Sequence, residues 1–572
     1  MNTHSLDDHQ AMRKSLNRNQ ILLYGYQALL SLFCVLYLYH QNQKIIAIYD
    51  FSYFTDLATR INLNQIPYKD FPVASNPGSF FQLAALLKIF PHNFNAIFIF
   101  LSIQSIVVIY CLFWICNRRL KNQKKYLLLL VFLIPLNIYG VFHQPFYDAD
   151  SLFYVVISST FILRMANNNL DMKKNHPIIL LITGITIFLP FFFKQNIGLA
   201  WMIFWVVIGL KVFLVDRNRN LDIIFVFIGL LSSLCVFFAW LIYEGILNKW
   251  IYWTILRPFE IRNSSIYILI DGLKQFEKIL LLTIFVYTFF LIVEREKNKK
   301  RSSQIILIAL PTGTLILNTI LSIDVLTLSP ISQAGTRFYP LIIFSMLLFL
   351  FSYALSARSM SPYQVVTLGI LVTSIAAMLP QGFYGSTHSL WPLLILAFIF
   401  AITEEETVLD KISQRIAVFC LVVNLFVVST MSLYLVRYDW LPLQNRASVG
   451  SKSFGLLKTY GNYLSESEEM ASLFLKYKKL GKIAIFPGEE PIAFLTGQVP
   501  DVEVSSSDPT TNPWYPNLKG WLEFNSIDYL IYRENGQNIS SSEMNFKIIS
   551  TLQNRFRVIE KIGDYVVYEK IT

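Results

Sequence analysis

Three carboxylates and five basic side chains stand beside long apolar runs, where acid/base and anion-stabilising chemistry can be built. Asp50 follows the first run in IYDFSYF, and Asp148 and Asp150 precede the fourth in HQPFYDADSLF. A carboxylate with water on one side and a low-dielectric bundle on the other is tuned towards general-base work. Two acidic clusters on one face suit acid/base work or metal binding. The bland readings are a helix-end charge for Asp50 and an N-cap for Asp150 or Ser151. Lys194 in FFFKQN, Arg257 and Arg262 in ILRPFEIRNSS, Arg337 in SQAGTRFYP and His388 in GSTHSLWP supply cations. Ionisable groups at membrane depth are functional candidates, and Lys or Arg clamps suit a phosphate leaving group. Snorkelling at the interface is the competing account of each.

The elements that must position these groups are set by composition. The chain has 572 residues, 54% hydrophobic and only 15% charged, with 47 Phe and 30 Tyr. A soluble domain carries about 25% charged residues. With so few polar side chains to cover a surface, lipid must solvate much of this chain. A span needs ~20 mostly apolar residues. Thirteen are expected, near 21–39, 93–116, 126–142, 152–165, 177–193, 197–215, 222–243, 277–293, 304–322, 338–355, 364–380, 390–402 and 414–436. The fold class is therefore an all-α polytopic membrane bundle over residues 1–440, followed by a soluble region over 441–572.

The net charge of +11 would suit nucleic acid, but Lys and Arg sit in short clusters between apolar runs, the pattern of topology-setting charge. With thirteen spans every cluster, such as Arg118 to Lys125 or Arg295 to Arg301, falls on the cytoplasmic side. The N-terminus is then inside and the C-terminus outside. The outer loops are approximately 40–92, 143–151, 194–196, 244–276, 323–337 and 381–389. The first holds amphipathic stretches, 51–66 and 78–90, suited to lying flat at the interface. The five cysteines lie inside apolar runs and imply neither a disulfide framework nor a metal site.

From residue 441 the composition turns polar. Residues 452–479 read as helical, and 482–486, 527–532, 556–560 and 565–569 read as strands, with a short helix after PGEE. Strands alternating with helices indicate a small α/β unit. No Gly-rich phosphate loop or nucleophile elbow occurs there. A non-catalytic cap or an acceptor-docking module is expected.

A set of motifs then resembles a known family. They are Asp50, PYKDF (67–71), NPGSFF (76–81), FYDADSLF (146–153), FKQNIGL (193–199), the RFYP and HSLWP span starts and IFPGEEPIAFLTG (485–497). In order and sidedness the chain resembles the GT-C superfamily of polyprenyl-phosphate-dependent glycosyltransferases, and most closely its protein O-mannosyltransferase and aminoarabinose transferase branch. The resemblance implies a plasma (inner) membrane enzyme with a cavity open to the outside. It implies a polyprenyl-phosphate-linked sugar donor, an extracytoplasmic acceptor and inverting displacement. It gives Asp50 the role of general base or metal-linked carboxylate, and it maps a second acid to Asp148 or Asp150. The branch often carries Lys-Pro-Pro or His-Pro-Pro in the first loop, where this chain has Ser75-Asn76-Pro77-Gly78. Lys69, Lys194 or an Arg would then replace the phosphate-contacting lysine. The leaving phosphate needs cations, from Lys194, Arg257, Arg262, Arg337 or a divalent metal, Mg or Mn.

Three other readings compete, one of them a non-catalytic scaffold that presents the tail, which dispersed outer acids would favour. A surface-polysaccharide polymerase or ligase typically has its large outer loop late in the chain, whereas here it is the first. A transporter or flippase would favour charges buried mid-span and paired repeats. The notable charges here sit at span ends, and no repeat is evident.

Overall fold

The computed structural model describes residues 4–42, 48–120, 124–140, 144–170, 175–216, 219–261, 350, 361–378, 389–403, 422, 425–426, 429, 463–486, 491–502, 526–533, 555–563 and 565–571. Arg262, Arg337 and His388 lie outside them, as do the expected spans near 277–293 and 304–322 and nearly all of 338–355 and 414–436.

Helix α1 (His4–Asn42) contains the first apolar run. Two shorter helices follow, α2 (Ile48–Asn62) and α3 (Gly78–Ile89), on the two amphipathic stretches of the first loop. Helix α4 (Phe94–Arg119) starts where the Asn93 side chain accepts from the Ala96 amide at 3.2 Å, a standard N-cap. Then come α5 (Tyr147–Leu170), α6 (Pro177–Phe193), α7 (Gln195–Val215) and α8 (Asn220–Tyr243). Among the described residues five helices are long and apolar enough to cross a membrane, in α1, α4, α5, α7 and α8. Ile203, Val207, Leu210 and Leu214 of α7 and Ile224, Ile228 and Leu231 of α8 are exposed. A contiguous apolar face of that kind belongs in lipid. The chain is a multi-pass membrane protein.

Two expectations need correction. The third span, expected over 126–142, is instead a 3-10 stretch over Lys124–Leu133, followed by turns through Gly140. Pro135 stands two residues past that stretch and cannot donate to a continuing helix. The 3-10 segment packs on α1, with Tyr26 donating to the Leu127 carbonyl at 3.0 Å. The fourth run begins earlier than expected. The Asp150 amide already donates to the Phe146 carbonyl at 2.9 Å, so Asp148, Asp150 and Ser151 lie inside α5 and none of them is its N-cap.

After α8 the chain turns through α9 (Leu247–Ile251), a π-helical turn over Tyr252–Leu256 and α10 (Arg257–Ile261). Helices α11 (Pro362–Met378) and α12 (Trp391–Thr403) follow. Every residue of α12 is buried, which suits an apolar helix in the middle of the bundle.

In the tail, α13 (Tyr463–Lys478) packs beside a four-stranded sheet. The strands are β1 (Ile483–Phe486), β2 (Tyr529–Arg533), β3 (Phe556–Ile562) and β4 (Tyr565–Lys570), in the order β1-β2-β4-β3. Ile483 pairs with Tyr529 in the parallel pair, and Leu530 with Tyr568 in the antiparallel one. A short helix, α14 (Ile492–Thr496), leaves the sheet and reaches the bundle. There Phe494 joins the main apolar core.

Candidate active site where the loops meet

Among the described residues, the first loop, the α6–α7 joint and the turn after α9 meet. Asn76 of the first loop is fully buried and serves as their junction. Its amide N–H donates to Gln195 Oε1 at 3.3 Å, and its side-chain nitrogen donates to the Phe191 carbonyl. Trp250 Nε1 donates to Asn76 Oδ1 at 2.8 Å. Gln195 Nε2 in turn donates to the Ala74 carbonyl at 3.1 Å and the Thr254 carbonyl at 2.9 Å. The first loop, the α6–α7 joint and the π turn after α9 are thus held by direct hydrogen bonds. Tyr68 closes the first loop on itself by donating to the Ser75 carbonyl at 2.6 Å. Complete burial pushes the Tyr68 phenol well up from its ordinary value, so it stays a donor.

Lys194 sits in the break between α6 and α7 with an extended backbone. Pro190 stands one turn earlier, and the Lys194 amide donates to its carbonyl at 3.0 Å. Gly198 lets α7 fold back there, because a Cβ at that position would fall on the Phe191 backbone. The Lys194 ammonium faces Asp148 Oδ1 at 3.5 Å and lies 3.6 Å from the centre of the Tyr147 ring. Asp148 is fully buried and Lys194 nearly so. In so dry a setting the pair is strongly coupled, and the ring face adds a cation–π contact.

Asp150 is also buried but points elsewhere. Residues two apart on a helix are about 200° apart around its axis. Tyr139 Oη donates to Asp150 Oδ1, and Ser79 and Gln82 of α3 face the same carboxylate. The two acids of the DAD sequence therefore do separate jobs. Asp148 neutralises a cation, and Asp150 ties α5 to the turn after the 3-10 stretch.

Asp50 lies in the first turn of α2, not at the end of α1, and is half-buried. Gln144 Nε2 donates to its Oδ2 at 3.4 Å. Gln144 stands four residues before Asp148, so Asp50 and the Asp148–Lys194 pair address the same short segment. The rings of Phe54 and Tyr147, 5.6 Å apart, fix α2 against that segment.

The other described cations have acidic partners of their own. Lys69 is half exposed, 3.7 Å from Glu244 Oε2. It borders a polar cleft of about 720 Å³ lined by Arg60, Gln65, Lys69, Asp70, Lys478 and Gln498 among others. Arg257 opens α10, three residues after Thr254, with Glu260 at 3.5 Å. Among the described residues no group of three or more His, Cys, Asp or Glu side chains fits a metal ion. Asp148 already faces an ammonium, which competes with a divalent cation for its charge.

Gln144, Tyr147, Asn76, Gln195 and Tyr139 were not among the residues singled out from sequence. Gln144 stands four residues ahead of Asp148 in HQPFYDAD, just before the helix begins. The others are uncharged, and only the fold reveals what they hold.

No family model matches the chain, and no curated protein matches it. Two solved structures of ArnT from Cupriavidus metallidurans are similar to it. The one bound to undecaprenyl phosphate has 10% identity and a TM-score of 0.41, covering 96% of this chain and 98% of that chain. The one in the apo state has 10% identity and a TM-score of 0.43, covering 97% and 98%.

Proposed function

We propose that the protein is a membrane glycosyltransferase that moves a sugar from a polyprenyl-phosphate donor to a hydroxyl of an extracytoplasmic acceptor. The observation that carries this reading is the meeting of Asp50 with Gln144, four residues before Asp148 of the Asp148–Lys194 pair. A carboxylate base and a buried ammonium, served by one loop, are the two charges such a transfer needs. The motifs around them resemble those of polyprenyl-phosphate-dependent glycosyltransferases.

In this reading Asp50 takes the proton of the acceptor hydroxyl as its oxygen attacks the anomeric carbon. The bond from that carbon to the phosphate oxygen breaks, and the electron pair leaves with the polyprenyl phosphate. A phosphate monoester has its second pKa near about 6, so it departs without a general acid. Lys194 stabilises the departing charge, with Arg257 as the second cation. Asp148 holds Lys194 in place while no phosphate is present. One displacement inverts the anomeric centre.

The test is turnover of a polyprenyl-phosphate-linked sugar by the full-length protein with Asp50→Asn. Loss of a general base lowers kcat by about 10²–10⁴-fold. Undiminished release of polyprenyl phosphate removes Asp50 from the mechanism.

A further inference from the structure

Among the described residues the tail meets α2 at two points and the turn before α4 at His92. Phe494 of α14 is buried against Phe51, with ring centres 5.4 Å apart at an interplanar angle of 67°. Phe94 meets the other side of Phe51 at 5.8 Å. His92 Nδ1 hydrogen-bonds the Phe494 carbonyl, which accepts. Gly497 ends α14 with φ +67°, and a Cβ there would stand 3.1 Å from the His92 ring. Only glycine lets the chain pass so close in that conformation. The second point is Arg60, whose Nη2 donates to the Val502 carbonyl at 2.8 Å.

Phe51 and Arg60 are nine residues apart, about 14 Å along a helix axis. Two anchors at that spacing stop α2 from both sliding and tilting. Phe51 is the residue after Asp50, and neighbours on a helix point about 100° apart. Holding the Phe51 ring against Phe494 therefore leaves Asp50 facing Gln144. We propose that Phe494 is a positioning residue through which the tail fixes the first turn of α2 and so the direction of the Asp50 carboxylate. This rests on the reading of Asp50 as the base, and it assigns the tail a part in the reaction although it supplies no reacting group.

The test uses the full-length protein in lipid nanodiscs, with Phe494→Ala, Phe494→Leu and, separately, Asp50→Asn. Small misplacements of a catalytic group are costly, so Phe494→Ala lowers kcat by about tenfold or more, with the donor KM within about twofold. Amide exchange over 50–58 accelerates while exchange over 195–215 does not change. Phe494→Leu refills the gap with apolar volume and recovers most of kcat. The proposal is overturned if exchange over 50–58 stays as in the parent, or if it accelerates with kcat intact. It is equally overturned if Phe494→Ala loosens the whole bundle together. Full turnover in Asp50→Asn would instead sink the base assignment, and the exchange data would still decide whether Phe494 holds the turn.

Discussion

Asp148, in the first turn of α5, and Lys194, in the break between α6 and α7, face each other at 3.5 Å with almost no access to solvent. Removing one member strands the other as a buried charge, at about 3–5 kcal/mol. Asp148→Asn and Lys194→Met are each expected to lower unfolding stability in detergent by that order. The double variant strands nothing and should be less destabilised than the two single losses added together. Chemical unfolding of the four proteins gives the coupling energy directly. Simple additivity would mean that the two groups do not interact. Donor turnover separates the roles further. From the proposed role of Lys194 at the leaving phosphate, Lys194→Met is expected to raise the donor KM and lower kcat.

The joint that holds Lys194 depends on Gly198 having no side chain. A Cβ there would strike the Phe191 backbone, whose carbonyl also accepts from Asn76. Backbone cannot yield as a side-chain tip can. Gly198→Ala therefore forces α6 and α7 apart, an overpacking cost of about 1–3 kcal/mol. The displaced joint also carries Lys194 away from Asp148. Both a lower midpoint of thermal unfolding and a weaker coupling in the Asp148/Lys194 cycle are expected. A variant that melts like the parent would show that the joint can relax around a methyl group.

The apolar framework was legible in the sequence because lipid demands long runs. Residues 177–193 were delimited as the structure has them, and α4, α7 and α8 differ by only a few residues. The strands at 483–486 and 529–533 were legible from short β-branched and aromatic runs. The segment after Lys124 was misread, since hydropathy counts apolar residues but not the hydrogen-bond pattern that Pro135 interrupts. In the site, charge picked out Asp50, Asp148 and Lys194, but spacing could not separate Asp148 from Asp150. That distinction rests on which helix face meets Lys194 and which meets Tyr139. Phe494 and Arg60 escaped notice because their partners lie hundreds of residues away in the chain.

The sheet of the tail carries its own pH dependence. Hydrogen bonds from Lys476 and Tyr477 hold the Glu560 carboxyl below its ordinary value. A group depressed on folding stabilises the fold above its unfolded pKa, about 4.3 for Glu, and loses that contribution as pH falls through the folded value. The tail should therefore melt progressively earlier once the pH drops below that range. Glu560→Gln removes this part of the acid sensitivity and leaves the melt near neutral pH slightly lower. Thermal scans of the full chain at a series of acidic pH values read the difference. Parallel curves for parent and variant would dismiss Glu560 as a contributor.

Arg60 shows why the second anchor of the tail cannot be replaced by another cation. Its side chain is 3% exposed. Nε donates to Asp56 at 2.8 Å, Nη1 to Gln65 at 3.2 Å and Nη2 to the Val502 carbonyl at 2.8 Å. The guanidinium also lies 5.9 Å from the centre of the Phe71 ring. A planar fork reaches three acceptors in different directions, whereas the lysine ammonium is a single point on a flexible stem. Arg60→Lys keeps the charge near Asp56 but leaves the Val502 carbonyl without its donor, at about 1–3 kcal/mol for a buried acceptor. The bundle does not use that bond, so the loss falls on the contact between α2 and the tail. Arg60→Lys should speed proteolytic release of the tail while the α4–α8 helices melt as in the parent. Arg60→Met should release it faster still, because it also leaves Asp56 without its partner. Equal release rates for all three proteins would show that Phe494 alone holds the tail in place.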